Sequence, residues 1–222
     1  MKISEIFLSI DGEGIRTGYP VTFIRTYGCN LRCSYCDSLY AVDGDDYTEM
    51  SVDDIMDEVV KYTTHRITYT GGEPLIQKDA LDLIKRLVRG GYEVNIETNG
   101  SVDLSNLRDS SWCFGLMKNN IIITMDWKSI SSNMSQHMRL NNLKYLTSND
   151  VLKFVVSSKA DLDQMKDVVV NNDLNCNIFV SPVFGEIEPS DIVKYVLDND
   201  LNNVRVQLQL HKYIWPADKR GV

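Results

Sequence analysis

Cys29, Cys33 and Cys36 stand in the run Gly28-Cys29-Asn30-Leu31-Arg32-Cys33-Ser34-Tyr35-Cys36-Asp37-Ser38, just after the apolar residues Val21 to Ile24. The spacing is C-x3-C-x2-C, and three thiolates this close can hold three irons of a four-iron, four-sulfur cluster. The other cysteines, Cys113 and Cys176, are distant in sequence. The fourth iron is therefore open to a substrate or cofactor, where a fully ligated cluster would only pass electrons. A structural zinc site is the competing reading, and His65, His137 or His211 could complete its tetrahedron. No His or Cys follows at finger spacing, which favours the cluster.

Other polar residues fall where strands are expected to end. Thr70-Gly71-Gly72-Glu73-Pro74 pairs two glycines, which let backbone approach a ligand closely, with a carboxylate. An ordinary turn is the alternative for this run taken alone. Glu97-Thr98-Asn99-Gly100 and Thr124-Met125-Asp126-Trp127-Lys128 end two further runs rich in β formers. Arg25 lies four residues before the first cysteine, and its guanidinium suits a carboxylate through two parallel hydrogen bonds.

Alternating strands and helices must carry these residues. Strands are expected at Val21–Thr26, Arg66–Thr70, Val94–Thr98, Ile121–Asp126, Val151–Val156, Cys176–Ser181 and Asn203–Leu208. Ser51 with Asp54 forms a capping-box signal for a helix reaching Tyr62. Asp79–Arg89, with Leu81, Ile84 and Val88 on one face, is a helix stopped by Gly90-Gly91. Ala160–Val170 and Ser190–Asp198 are the next helices, and Gly100 to Asn120 is irregular. The alternation implies a parallel sheet wrapped by helices. About six strands are too few for a closed eight-stranded barrel, so the expected class is α/β, a partial, open (β/α)6-type barrel. Chemistry in such sheets sits beyond the carboxyl ends of the strands, which is where the cysteine loop falls.

The chain has 222 residues and is 43% hydrophobic, which suits one domain spanning 1–222. It has no apolar run of membrane-span length and no apolar stretch at its start. These features, and five cysteines better suited to metal than to disulfides, point to the cytoplasm. Net charge is −8, and the sole basic cluster is Lys212 to Arg220, so a small molecule is expected as substrate in place of a nucleic acid.

The three-cysteine motif resembles that of the radical S-adenosylmethionine (SAM) enzymes, whose open iron is chelated by SAM. The ends of the chain narrow the likeness. Glu5-Ile6-Phe7-Leu8-Ser9-Ile10-Asp11-Gly12-Glu13-Gly14, Asp37-Ser38 after the last cysteine, and Gln209-Leu210-His211-Lys212-Tyr213-Ile214-Trp215 with Lys219-Arg220-Gly221-Val222 resemble the 7-carboxy-7-deazaguanine synthase family from Glu5 to Val222. The resemblance implies ring contraction of 6-carboxy-5,6,7,8-tetrahydropterin with loss of ammonia, with catalytic SAM and with Mg2+ assisting. It implies that Cys29, Cys33 and Cys36 hold the 4Fe-4S cluster, and that Gly72, Glu73, Glu97, Asp126, Trp127 and Lys128 surround SAM. Lys153 is a further SAM candidate, against a solvated strand-end lysine. Ile10, Asp11, Gly12, Glu13, Arg25, Thr70, His211 and the carboxylate of Val222 are implied substrate contacts, with Arg25 on the pterin carboxylate. Ser38 is implied to meet magnesium, against a helix-cap or turn hydroxyl. Asp11 stands where the family often has glutamine, and Ser38 where threonine is common.

The family further implies a homodimer and an electron donor such as flavodoxin. Two rival readings share parts of the motif set: a glycyl-radical enzyme activase and an iron–sulfur electron carrier. The two ends of the chain argue against the first. The incomplete ligand set argues against the second.

Overall fold

The computed structural model describes residues 1–108 and 120–222. Cys113, distant from the cysteine motif in sequence, lies outside the described residues. The strands are β1 (Lys2–Ile10), β2 (Pro20–Thr26), β3 (Thr48–Glu49), β4 (Arg66–Gly71), β5 (Glu93–Thr98), β6 (Ile121–Trp127), β7 (Val151–Val156), β8 (Asn177–Pro182) and β9 (Val204–Val206). They form one sheet in the order β3-β1-β2-β4-β5-β6-β7-β8-β9. β1 runs antiparallel to both its neighbours, and β2 through β9 are parallel along the row. The outer strands β3 and β9 do not pair, so the barrel stays open, as the sequence led one to expect.

The helices are α1 (Val52–Val59), α2 (Ala80–Arg89), α3 (Ser105–Arg108), α4 (Lys159–Asn171), α5 (Pro189–Asp198) and α6 (His211–Ile214). The Ser51–Asp54 capping box is formed, but α1 stops at Val59, short of Tyr62. The run Val59 to Thr64 is rich in β-branched and aromatic residues, which are weak helix formers. On α2 the fully buried stripe is Leu83, Ile84 and Leu87, with Val88 beside them and Leu81 only half buried. The apolar seam is thus turned from the expected one by about one residue.

The parallel set has seven strands, one for each run expected from the sequence, and β1 joins it as an antiparallel partner that sequence reading took for a motif alone. Alternation along the strands divides the residues between two faces. Ile24, Ile67, Tyr69, Val94, Ile96, Ile123, Met125, Leu152, Phe154, Ile178 and Val180 belong to the apolar core shared with α2, α4 and α5. The opposite parity carries Arg25, Thr68, Thr70, Asn95, Glu97, Thr124, Asp126, Lys153 and Ser181. The concave face is therefore polar, and the core lies between the sheet and its helices. Among the described residues no helix is long and apolar enough to cross a membrane.

The β1–β2 loop fills the lower part of this concave face. Arg16 reaches in from it and donates to Asp11 Oδ2 at 2.8 Å, Thr68 Oγ1 at 2.7 Å and the Ile67 carbonyl at 3.0 Å. It also meets Glu93 Oε1 at 3.1 Å. Breaking a buried pair by removing one partner typically costs about 3–5 kcal/mol. Arg16→Ala should therefore lower the unfolding free energy by about that much, read as a lower urea midpoint at unchanged slope.

Candidate functional site

The cysteine loop leaves β2 through Gly28, whose positive φ of 97° suits glycine. Its base is stitched to the end of β4. Gly72 N–H donates to the Thr26 carbonyl at 3.1 Å and Glu73 N–H to the Gly28 carbonyl at 2.9 Å. A Cβ on Gly72 would lie 2.3 Å from Gly28 O and 2.9 Å from Cys29 Cβ. Only glycine lets the two loops approach this closely, so the paired glycines are more than a turn.

Cys29, Cys33 and Cys36 all line one cavity of about 500 Å³. Asn99 Nδ2 donates to Cys29 Sγ at 3.6 Å, which ties the end of β5 to the first thiol. Burial pushes the Cys33 and Cys36 thiols up, and a bound metal centre would offset that cost by stabilising thiolates. The donor set therefore fits an iron–sulfur cluster. Among the described residues no three His, Cys, Asp or Glu side chains are grouped to hold a single metal ion. Cys176 is a partly buried free thiol whose pKa burial pushes up to about 11, and it is not on the cavity wall.

Beside the thiols the wall continues through Gly71, Gly72, Glu97, Thr98, Asn99, Asp126 and Lys128. Thr70 Oγ1 donates to Glu97 Oε2 at 2.9 Å, and burial raises the Glu97 carboxyl. Asp126 is flanked by Lys128 Nζ and Lys153 Nζ, each at 3.0 Å. Burial works against the Asp126 anion, but the two ammonium groups outweigh it and hold its pKa below the usual value. Lys153 also meets Glu13 Oε2 at 3.2 Å. It is thus neither a solvated strand-end lysine nor a free one: it links the β1–β2 loop to β6.

On the opposite wall, Ile10, Gly12, Glu13, Arg25 and Ser38 face the cavity with His211 and Val222. The His211 ring lies directly on Gly12, where a Cβ would come within 2.1 Å of Nδ1. Burial lowers the His211 pKa, with Glu13 pulling the other way. Ser38 Oγ donates to Asp37 Oδ1 at 3.1 Å. Its side chain makes no cap bond to the short turn that follows, so the cap reading fails. Lys212 Nζ reaches Asp37 Oδ2 at 3.1 Å.

Three expected contacts lie elsewhere. Asp11 is 2% exposed; its carboxylate is occupied by Arg16 and by Thr68 Oγ1 at 2.6 Å, so it braces the loop from behind and is off the cavity wall. Glu73 is fully buried. It accepts from Asn99 N–H at 2.6 Å, Thr98 Oγ1 at 2.9 Å and Leu75 N–H at 3.0 Å, fixing the backbone that bears Asn99. Burial pushes its pKa up to about 7 against those donors. Trp127 shares the parity of Ile123 and Met125, so it joins the core near Phe154, ring centroids 6.4 Å apart. Arg16, Glu5 and Tyr40 were not singled out as site residues in the sequence, because their partners are remote.

An open parallel half-barrel with three cavity thiols beyond its first parallel strand defines a radical SAM protein, and the Radical SAM superfamily model matches residues 23–153. That superfamily implies a 4Fe-4S cluster and SAM. The chain is 43% identical to a 7-carboxy-7-deazaguanine synthase of Clostridium acetobutylicum, over 100% of this chain and 99% of that protein. It is 36% identical to one of Thermoplasma acidophilum, over the full length of both. The crystal structure of QueE from Escherichia coli superposes with TM-score 0.73 at 23% identity, covering 95% of this chain and 94% of that one, which bears on the fold. The chain belongs to the 7-carboxy-7-deazaguanine synthase family.

Gly72→Ala should displace the cysteine loop, because the added Cβ would run into the Gly28 carbonyl and the Cys29 Cβ of that loop, and backbone gives way only by moving. Iron content after anaerobic reconstitution should fall strongly in Gly72→Ala and in each of Cys29→Ala, Cys33→Ala and Cys36→Ala. Cys176→Ala should keep full iron content and the cluster's visible absorption.

Proposed function

We propose that this chain converts 6-carboxy-5,6,7,8-tetrahydropterin to 7-carboxy-7-deazaguanine, with loss of ammonia, in 7-deazapurine biosynthesis. The observation that carries this reading is the convergence of three thiols, the Gly71-Gly72 backbone and the Arg25 guanidinium on one cavity. Bound together, cluster and SAM supply hydrogen-atom abstraction. Cys29, Cys33 and Cys36 hold the cluster. Gly72, Glu97, Asp126 and Lys128 receive SAM.

Arg25 receives the pterin carboxylate. Its Nε is taken by Glu5 Oε1 at 2.8 Å, and among the described residues its terminal nitrogens make no hydrogen bond, which suits a two-pronged grip. The ring lies against Ile10, Gly12, Glu13, Thr70, His211 and Val222. His211, kept neutral by burial, offers one donor and one acceptor nitrogen to the heterocycle. Lys153 acts by holding Glu13 in place. Ser38 offers Mg2+ a hard hydroxyl oxygen, to be joined by the substrate carboxylate and water. A one-electron donor such as flavodoxin and a homodimer follow from the family resemblance, and a cytoplasmic setting from the cysteine usage.

The reconstituted protein, incubated anaerobically with SAM, reductant and the carboxytetrahydropterin, should release the deazaguanine product. Absence of product with a full cluster would exclude the reading. Arg25→Ala should lose about 2–5 kcal/mol of pterin binding, the usual cost of truncating a buried charge pair, with SAM affinity unchanged. Ser38→Ala should fold and carry its cluster yet lose most of its stimulation by magnesium, measured as turnover against Mg2+ concentration.

A further inference from the structure

Ile3 pairs with Thr26 across the β1–β2 ladder, yet Glu5 pairs with Arg25, because the register shifts between Ile3 and Glu5. Regular antiparallel pairing would set Ser4 opposite Arg25 and Glu5 opposite Ile24. Glu5 would then share the face of Ile3, which belongs to the apolar core. The extra residue of a β-bulge turns it to the other face, beside Arg25. One bulge thus places a carboxylate next to the guanidinium that lines the cavity.

Glu5 Oε1 accepts from Arg25 Nε at 2.8 Å and from Tyr40 Oη at 2.7 Å. The Tyr40 ring in turn lies under the Arg220 guanidinium at 3.8 Å. Guanidinium donors form a rigid planar fork. Once Nε is fixed, the plane of the fork and the direction of its terminal edge are fixed with it. Burial holds Tyr40 up to about 12, so the phenol remains a donor throughout the neutral range.

We propose that Glu5 and Tyr40 are positioning residues that aim Arg25, and that the carboxylate selectivity of the site depends on this aim. The inference rests on the proposed role of Arg25 in binding the pterin carboxylate. Glu5 leaves the terminal edge of Arg25 for the substrate and keeps the side chain from swinging away from the cavity. Strand pairing does not need Glu5, since the backbone ladder holds β1 to β2 from Glu5 to Ile10.

The test compares two probes on the reconstituted holoenzyme with SAM: 6-carboxy-5,6,7,8-tetrahydropterin and 5,6,7,8-tetrahydropterin without the carboxylate. Dissociation constants come from anaerobic equilibrium dialysis, beside iron content and melting temperature. Glu5→Ala should weaken the carboxylated pterin by roughly 10- to 100-fold, the range of a hydrogen bond to a charged group. It should leave the uncarboxylated pterin unchanged. Glu5→Gln, which keeps an acceptor, should restore most of the loss, and Tyr40→Phe should show a smaller loss of the same kind. In an Arg25→Ala background Glu5→Ala should have no further effect on the ratio of the two constants, because coupled residues are not additive. If Arg25→Ala abolishes the selectivity while Glu5→Ala and Tyr40→Phe retain it, the aiming role is overturned and the role of Arg25 stands. If Arg25→Ala itself keeps the selectivity, both are overturned. Equal weakening of both probes with loss of iron or melting temperature would make Glu5 a structural residue only.

Discussion

The concave face of the sheet carries charge, and each charge there must be matched before water can be kept out. An unpaired ion in such a setting costs several kcal/mol. The chain meets this with Asp11 against Arg16, Glu5 against Arg25, and Glu13, Lys153, Asp126 and Lys128 in a row of alternating sign. Three of these five pairs join two different elements. The β1–β2 loop is therefore pinned to β4, β6 and β7 through its charges, and the cavity above it acquires a fixed floor.

The second constraint is steric. The loops after β2 and β4 meet where Gly72 lies against the Gly28 carbonyl, with no room for a side chain on Gly72. Glu73, buried behind the seam, holds Thr98 and Asn99, and Asn99 reaches Cys29. Three consecutive strand ends are thus tied around the first thiol. Arrangements of this kind let a ligand bind without reorganising its surroundings, which is what preorganisation means in energetic terms.

Much of this was legible in the sequence where the signal is local. The cysteine spacing, the seven parallel strands and the capping box each lie within a few residues, and β7 has the expected bounds, Val151–Val156. What escaped depends on distance or on parity. Trp127 adjoins Asp126 in sequence but faces the core, because neighbours along a strand point to opposite sides. Asp11 and Glu73 have the chemistry of ligand contacts, yet buried donors claim their oxygens. Arg16 is five residues from Asp11 but 51 and 77 from Ile67 and Glu93, a set of contacts that only the folded sheet defines. The bulge at Ser4 has no sequence marker of its own, and β1 was hidden by the motif it carries.

The C-terminal residues show how position and chemistry combine. Gln207 N–H bonds to the Val180 carbonyl, and Leu210 N–H to that of Gly12, so the segment after β9 crosses from β8 to the β1–β2 loop along the open side of the barrel. His211 then seats on Gly12, and Lys212 pairs with Asp37 beside Ser38. Arg220 closes on Tyr40 and on Asp46 at 2.9 Å. A sheet that fails to close by strand pairing is thereby bridged by side chains. An open seam strapped by a segment of the chain itself suits a small-molecule site better than a closed barrel would, whose interior would be filled by its own side chains.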